Sequence, residues 1–429
     1  MIYAYTIFSL ANTEQVCIES CYGTTDEVTI PASLCGLPVT RLADYAFALS
    51  KAEKADVLYA ADGLDAARFS KRQPEYSIDN KQLNGKAGLA GFSMRQPKPG
   101  TGSADELFPG APHEDSGRTG QLRLKPDSAT LPPRIAGEAL HALTLPVTLT
   151  HIGRYAFYNC LRLSRLSLSS RTDLGSGLFT GCDAITQLTV LVDEEHRSNL
   201  QELLLSFHGA LLLHYYVNVK ADNFAANRSA VLKYRLIFPQ YYENAGENTP
   251  ARITIRDLHG SGLFYRNCFA DTQFQIVRYD QPFAHAEANE PEEITTELAF
   301  SRLLTPTTLS DQAAARYADY LHAHPGALAA LLCRNYQNGA YPGTLVRTVF
   351  SDTRMSDEAF LDALIDACSA AKMPVPGLIS LLMDVKRQSR AAQSRAASSA
   401  AGAPGEAGAV GAAGAAGAPV QKKRRFELL

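Results

Sequence analysis

A pattern of one aliphatic residue, one aromatic residue and one cysteine occurs twice in the first half of the chain with the same internal spacing. In THIGRYAFYNC, residues 150–160, Ile152 stands five positions before Phe157, and Cys160 stands three positions after it. The same spacing returns 22 residues later in DLGSGLFTGC. A fixed period of about 20–30 residues is typical of solenoids, whose coils bury their apolar side chains only by stacking on one another. The first half is therefore predicted to be a repeat array.

Three further pairs share the five-residue spacing: Leu42 and Phe47, Leu64 and Phe69, and Ile135 and Leu140. Short alternating pieces, such as LTLP at 143–146 and LSLS at 166–169, lie between the units. Each alternating piece predicts a short parallel strand that turns every second side chain inward. Cys160 and Cys182 are predicted to fill the remaining corner as a buried ladder, and a functional thiol pair is the alternative.

The segment HIGRYAFYNCLRL resembles the BspA-type leucine-rich repeats of bacteria and some protists, whose core reads Ile-Gly-x-x-Ala-Phe followed by Cys-x-x-Leu. DLGSGLFTGC matches with Leu178 in place of the small residue, whereas RLADYAF and GLDAARF lack the glycine and the cysteine. The resemblance covers about residues 1–190. It implies an α/β leucine-rich-repeat solenoid with short parallel strands and a role in binding, because family members are surface-exposed binding proteins or uncharacterised intracellular ones.

Two segments interrupt or end the predicted solenoid, which we assign to residues 1–219. Residues 74–120 hold eight Gly and five Pro in 47 positions, a share that is typical of disorder. We therefore predict a disordered insertion over 73–120. The segment 193–209 has leucines at helical spacing, and together with ALLLHYYVNV at 210–219 it is predicted to form the terminal cap of the array.

The carboxyl half divides into three predicted parts. Residues 220–305 give mixed signals and are assigned to a mixed α/β region. Residues 306–388 carry helix caps and apolar stripes, and they are predicted to be helical. Residues 389–429 are predicted to be a disordered Ala/Gly-rich tail that ends in the basic sequence QKKRRFELL.

Composition limits the class of partner and the compartment. The net charge of −3 gives no general attraction to nucleic acid or to anionic membranes. The amino terminus lacks the basic start and apolar run of a secretory signal, and no apolar run reaches the length of a membrane span. The eight cysteines form no Cys-x-x-Cys motif, so we expect reduced thiols and a cytoplasmic location.

A search for catalytic motifs finds no phosphate-binding loop and no Gly-x-Ser-x-Gly elbow. His259 and Ser261 lie two positions apart in LHGSGLFY, but neighbours in sequence are not thereby placed as base and nucleophile. A glycine-rich turn is the preferred interpretation. We therefore predict a protein that is not an enzyme, with no catalytic residue, no cofactor and no metal site.

The leading hypothesis is a binding or scaffold protein with a protein partner, no nucleic acid and no membrane span. Candidate contacts are the outward residues of two predicted strands, namely Arg165, Ser167, Ser169, Gln187 and Thr189, and the basic end, namely Lys422, Lys423, Arg424, Arg425 and Phe426. The basic end is also open to interpretation as a nucleic-acid contact or a solubilising end. Two alternatives to the leading hypothesis stay open: a surface adhesin exported without a standard signal, and an enzyme with an unrecognised site in 220–305.

Overall fold

The computed structural model describes residues 1–51, 57–62, 119–122, 131–218, 230–248 and 253–401. Its strands, in chain order, are β1 (Ile2–Leu10), β2 (Thr13–Tyr22), β3 (Glu27–Thr29), β4 (Ser33–Leu34), β5 (Leu37–Leu42), β6 (Leu58–Asp62), β7 (Thr119–Leu122), β8 (Ala142–Thr144), β9 (His151–Ile152), β10 (Arg165–Ser169), β11 (Asp173–Leu174), β12 (Gln187–Val192), β13 (Leu211–Asn218), β14 (Ala230–Phe238), β15 (Tyr242–Asn248), β16 (Ile253–His259), β17 (Phe269–Ala270) and β18 (Gln273–Phe274). Its helices are α1 (Leu200–Leu205), α2 (Gly262–Arg266), α3 (Ile276–Tyr279), α4 (Phe283–Asn289), α5 (Glu292–Leu304), α6 (Asp311–Ala323), α7 (Pro325–Gln337), α8 (Gly343–Phe350), α9 (Glu358–Ser369) and α10 (Pro376–Ala401).

The first half is a solenoid, and the predicted α/β solenoid class is confirmed. Five parallel strands, one from each coil, lie side by side in the order β3, β8, β10, β12 and β13. The first three coils also contribute short strands β5, β9 and β11 to a second parallel ladder. The first three coils thus pair with one another through both ladders, and the apolar side chains are buried between the two ladders.

A column of phenylalanines lies inside the solenoid, and it includes Phe157 and Phe179, the pair that the repeat predicted in adjacent coils. The ring centroids of Phe47 and Phe157 are 5.9 Å apart, those of Phe157 and Phe179 are 5.8 Å apart, and those of Phe179 and Phe207 are 4.7 Å apart. Phe47 and Phe157 are fully buried, whereas Phe179 is only partly buried. The rings of Phe157 and Phe179 therefore each pack against a ring from the coil before and a ring from the coil after.

The predicted cysteine ladder is also present. Cys160 and Cys182 are buried, and the Sγ of each donates a hydrogen bond to the main-chain oxygen of the preceding coil's phenylalanine. The distances are 3.6 Å to Phe47 O and 3.0 Å to Phe157 O. Burial raises the pKa of Cys160 to about 12 and that of Cys182 to about 11, so both thiols serve packing.

These two thiols should resist alkylation in the folded protein, because the thiolate is the reactive form. We expect iodoacetamide to label Cys160 and Cys182 only after unfolding, with peptide mass spectrometry as the readout. Cys17, which is partly exposed, is the internal control. Labelling of Cys160 in the native protein at the rate of Cys17 would contradict the buried ladder.

One predicted coil is wrong. Ile135 and Leu140 were expected to head a separate coil, but β5 pairs directly with β9, so no coil stands between the first and the second. The segment instead completes the first coil, because Gly137 N donates to Phe47 O at 2.8 Å and leads through a 3-10 turn into β8. The other predicted pair, Leu64 and Phe69, lies outside the described residues.

The amino-terminal end of the solenoid is covered by the β1–β2 hairpin. Strand β2 runs parallel to β5, with Ile18 opposite Leu42, and β1 continues the sheet to β6 and β7. The predicted insertion over 73–120 lies outside the described residues except for Thr119 and Gly120, which belong to β7. Strands β2, β1, β6 and β7 therefore extend the second ladder beyond the first coil.

The carboxyl-terminal end of the solenoid differs from the predicted cap. Residues 211–218 form a fifth parallel strand, β13, because Leu211, Leu213 and Tyr215 alternate inward as in the earlier coils. The expected helix over 193–209 is reduced to the six residues of α1. The sheet ends at β14, which pairs antiparallel to β13.

The helical region packs on the free edge of β14. Tyr279 Oη accepts from Ile237 N at 3.0 Å, and Thr305 Oγ1 accepts from Arg235 N at 3.0 Å. These bonds satisfy main-chain donors that an edge strand would otherwise leave exposed. The region begins with α3 at Ile276, earlier than the predicted boundary at 306.

The last helix, α10, passes the predicted boundary of the tail at 389 and ends at Ala401. Its sequence there, QSRAAQSRAASSAA, holds six alanines, and alanine has the highest helix propensity of all residues. The tail prediction is therefore wrong for 389–401. Residues 402–429, which include Lys422, Lys423, Arg424, Arg425 and Phe426, lie outside the described residues.

One fully buried arginine joins the solenoid to the carboxyl half. Arg266 donates to Leu204 O at 3.0 Å and Gly209 O at 2.6 Å, at the end of the fourth coil, and to Pro239 O at 2.5 Å and Gly262 O at 3.1 Å. Burial lowers the pKa of Arg266 to about 10. Its guanidinium thus satisfies main-chain oxygens from both parts of the molecule.

Candidate protein-binding face of the repeat sheet

The outward side chains of the five parallel strands form straight rows, because the strands are in register. Arg165 stands opposite Ala142 on one side and Gln187 on the other. In the next row, Ser167 stands between Thr144 and Thr189. Successive coils therefore present a continuous polar surface that no single coil could form.

The outward residues in the row of Ser167 are exposed at β3 and buried at β12 and β13. Thr29 on β3 is exposed, Thr144 and Ser167 are partly exposed, Thr189 is 4% exposed and His214 is 9% exposed. At the buried end of this surface, His214 stands opposite Arg235 on β14, which bonds to the helical region. The open part of the sheet is thus bounded on one side by helices.

The side chain of Arg235 on β14 makes one of the contacts between the sheet and the helices. Its Nη1 donates to Tyr341 Oη at 3.1 Å and also to Ser301 Oγ, and its Nη2 lies 3.3 Å from Glu297 Oε1. Arg334 on α7 lies at the outer rim of this group, 4.0 Å from Glu297 Oε2, with its side chain 56% exposed. We call this part of α5 and α7, with Glu297 and Arg334, the helical wall. It therefore carries one negative and one positive side chain beside the open sheet.

Three of the five predicted strand residues lie on the open part of the face. Arg165 is partly exposed and pairs with Glu27 Oε1. Gln187 is partly exposed, and its Nε2 lies 3.3 Å from His214 Nδ1. Ser167 is partly exposed beside them, so these three side chains are brought together.

The other two predicted residues, Ser169 and Thr189, share the face but are buried. Ser169 Oγ accepts from Arg171 N at 3.2 Å in the following turn. Thr189 lies between Ser167 and the covered His214 in the ladder. Both are therefore removed from the set of contact residues, because alternation predicts the side of the sheet but not what packs on it.

Sequence reasoning missed outward residues of the first two coils, namely Glu27, Thr29 and Thr144. These positions could have been predicted from the alternating pieces VTIP and LTLP. Val28 and Leu143 point inward, so the residues next to them in the strand point outward. It also missed an apolar cluster of Val147, Leu191 and Tyr216 at the far end of the strands.

We define the binding face as Thr29, Thr144, Arg165, Ser167 and Gln187.

The covered end of the face holds a histidine that stays neutral. Burial, and then the nearby Arg235 charge, lower the pKa of His214 from 6.5 to about 3. The folded protein therefore takes up this proton later than the unfolded chain as the pH falls. Stability contributed by neutral His214 is complete above pH 6.5 and is lost progressively toward pH 3.

Replacing His214 by Gln should remove part of the acid sensitivity and keep a polar partner for Gln187. Between about pH 7 and about pH 4.5, we expect the unchanged protein to lose about 2–3 kcal/mol more unfolding free energy than His214→Gln. Urea unfolding at the two pH values measures this difference. Equal losses in the two proteins would show that His214 is protonated in the folded state.

The residues considered for catalysis do not form a site. Ser261 is fully buried and its Oγ has no partner among the described residues, while His259 is exposed and stacks on Tyr242 with ring centroids 4.6 Å apart. Within the described ranges, no group of three or more His, Cys, Asp and Glu side chains could hold a metal ion. No helix in the same ranges has the length and apolar character needed to cross a membrane.

Comparison with known families agrees with the geometry of the coils. Residues 136–200 match the model of the BspA type leucine rich repeat region, in 6 copies. This segment runs from the end of the first coil to the start of α1. Repeats of this kind are generally non-enzymatic and suggest protein–protein interaction or an adhesion-like role. No curated protein and no solved structure matches the chain.

Proposed function

Because residues 136–200 are a BspA-type leucine-rich repeat region, we propose that the protein is a non-enzymatic scaffold that binds a protein partner through the binding face. The observation that carries the proposal is the in-register, partly exposed row of polar side chains beside a charged helical wall. Such a surface can offer several hydrogen bonds at once, and Arg165 supplies a residue type enriched at interfaces.

The size of the face indicates that the helical region takes part. Strands β3, β8, β10 and β12 span about 15 Å at a spacing of about 4.8 Å. A standard interface buries about 800 Å² on each partner, which is more than two rows of side chains on four strands provide. We therefore expect the partner to touch the wall as well, where Arg334 and Glu297 lie at the rim.

Site-specific crosslinking tests this function. A photo-crosslinking amino acid at Ser167 should capture one protein in cells, whereas the same residue at exposed Thr180, on a turn outside the binding face, should not. Ser167→Arg and Thr144→Arg should then reduce recovery of that protein at least tenfold, with Thr180→Arg as the matched control. Capture from position 180 alone, or full recovery by both face variants, would contradict the proposal.

The basic end is proposed as a second contact for the same partner, with Lys422, Lys423, Arg424 and Arg425 steering the encounter and Phe426 anchoring it. Removing 421–429 is expected to leave the melting temperature unchanged and to weaken partner recovery. About 150 mM added salt should weaken recovery of the full chain, because exposed charge contacts are screened. Recovery that is unaffected by the truncation would assign the basic end to solubility.

A cytoplasmic location is part of the proposal. All eight cysteines are free thiols, which supports a reducing compartment. Fractionation of the native cell separates this proposal from the alternative of an exported adhesin. Protein found only in the surface fraction would favour the adhesin.

A further inference from the structure

The second ladder of the solenoid stops two coils earlier than the first. Strands β5, β9 and β11 come from the first three coils, but the fourth coil has no short strand after β12. Ser198, Asn199 and α1 occupy that part of the fourth coil instead. The ladder therefore ends at β11 with one side open.

The main chain of Leu174 faces this open side. Asp173 N donates to Thr150 O at 2.8 Å, and Gly175 N donates to Ile152 O at 2.9 Å. Because peptide groups alternate in direction along a strand, the N–H and C=O of Leu174 point away from β9. No bond to either group is formed by any residue in the described ranges.

The side chain of Leu174 is left uncovered for the same reason. Leu42 and Ile152 hold the equivalent place in the first two coils and are 1% and 0% exposed. Leu174 packs against the core but is only partly buried, and no strand among the described residues follows β11 in this ladder. An aliphatic side chain at this place would restore the column.

The side chain of Asn199 makes one of the hydrogen bonds that a fourth strand would make. Its Nδ2 donates to Thr172 O at 2.5 Å, whereas in the coil below Thr150 O accepts from a main-chain N–H. The Oδ1 of Asn199 is buried and has no donor among the described residues. The side chain thus supplies one hydrogen bond of a strand and leaves an acceptor open.

A cleft of about 390 Å³ lies at this place. Leu174, Asn199, Arg197, Gln201, Glu202 and Thr272 are among the residues that line it. Its floor is the open edge of β11, and its walls are α1 and the turn between β17 and β18. The volume is in the range of small-molecule binding clefts.

We propose that this cleft binds an extended segment of a partner protein, which adds to β11 as the missing fourth strand. The Leu174 peptide group would bond the main chain of the segment, and an aliphatic side chain of the segment would cover Leu174. Addition of a strand to an open sheet edge is an established mode of peptide binding. The site is separate from the binding face, so either proposal can fail alone.

The probe is a fluorescein-labelled peptide with the sequence acetyl-Thr-His-Ile-Gly-Arg-Tyr, which copies residues 150–155 of the second coil. In the register of the ladder, its glycine N–H would bond Leu174 O and its isoleucine would cover the Leu174 side chain. Fluorescence polarisation with the full chain is expected to show saturable binding. A peptide with sarcosine for glycine cannot make that bond and should bind at least tenfold more weakly.

Protein variants locate the site. Gln201→Trp fills the cleft and should abolish binding, while Arg162→Trp, at an exposed position that does not line the cleft, should not. Ser167→Arg on the binding face should also leave the affinity unchanged. Binding absent up to about 1 mM peptide, or equal affinity of the sarcosine peptide, or binding retained by Gln201→Trp, overturns the proposal.

A last variant distinguishes a partner from the chain itself. If residues 402–429 occupied the cleft, a chain that ends at 401 would bind the probe more tightly than the full chain. That result would overturn the assignment to a partner. Equal affinity of the two chains is the expected result.

Discussion

Phe157→Ala is expected to lower the free energy of unfolding by about 3–5 kcal/mol, as for large-to-small changes in protein cores. Phe157 is fully buried between Phe47 and Phe179, so its loss leaves a cavity against two coils at once. Denaturant unfolding followed by circular dichroism measures the change.

Leu161→Ala is the matched control for this prediction, because Leu161 belongs to the same coil and is 50% exposed. It should cost less than about 1 kcal/mol, as surface substitutions usually do. A loss below about 1 kcal/mol for Phe157→Ala itself would contradict the stacked column.

Arg266→Met is expected to cost about 4–6 kcal/mol, because several buried oxygens would lose their donor and each unsatisfied group costs about 1–3 kcal/mol. The oxygens belong to the fourth coil and to the segment after β14. The substitution should therefore also loosen the contact between the solenoid and the helical region. Hydrogen exchange at Leu211 and Tyr241 would report that loosening.

Arg266→Lys provides a graded test, since an ammonium group at this position can reach fewer oxygens than a guanidinium. It should lose less stability than Arg266→Met and more than Arg162→Met at the exposed surface. If Arg266→Met and Arg162→Met were equally stable, the bonds of Arg266 would contribute nothing to the fold.

The repeat pattern predicted the second and third coils closely, because each coil is specified by side chains within itself and its neighbours. It placed Ile135 and Leu140 wrongly because the pattern reads only local sequence. RIAGEAL resembles the start of a coil, but whether it starts or completes one depends on the pairing of β5 with β9, which are distant in sequence. Local similarity does not contain that information.

The candidate face was predictable only in part. Alternation placed Arg165, Ser167 and Gln187 on the outer side of the sheet, but it could not show that Thr189 is covered. Thr189 stands beside His214, which in turn stands opposite Arg235, and Arg235 bonds to residues of α5 that are 62 and 66 positions away in sequence. Burial of an outward residue is set by tertiary packing, which strand periodicity does not encode.

The first coil is built from two segments that are distant in sequence, one with β3 to β5 and one with Ile135 and Leu140. This arrangement has a consequence for the order of folding. Contacts between the second and third coils join residues 23 to 25 positions apart, such as Thr172 with Leu149 and Cys182 with Phe157. Asp44 and Arg154, which bind each other across the first and second coils, are 110 positions apart. Contacts between distant residues form more slowly because a longer loop must close first. During synthesis, the β1–β2 hairpin and the start of the first coil would therefore leave the ribosome well before their partners, and the later coils would provide the template on which they dock.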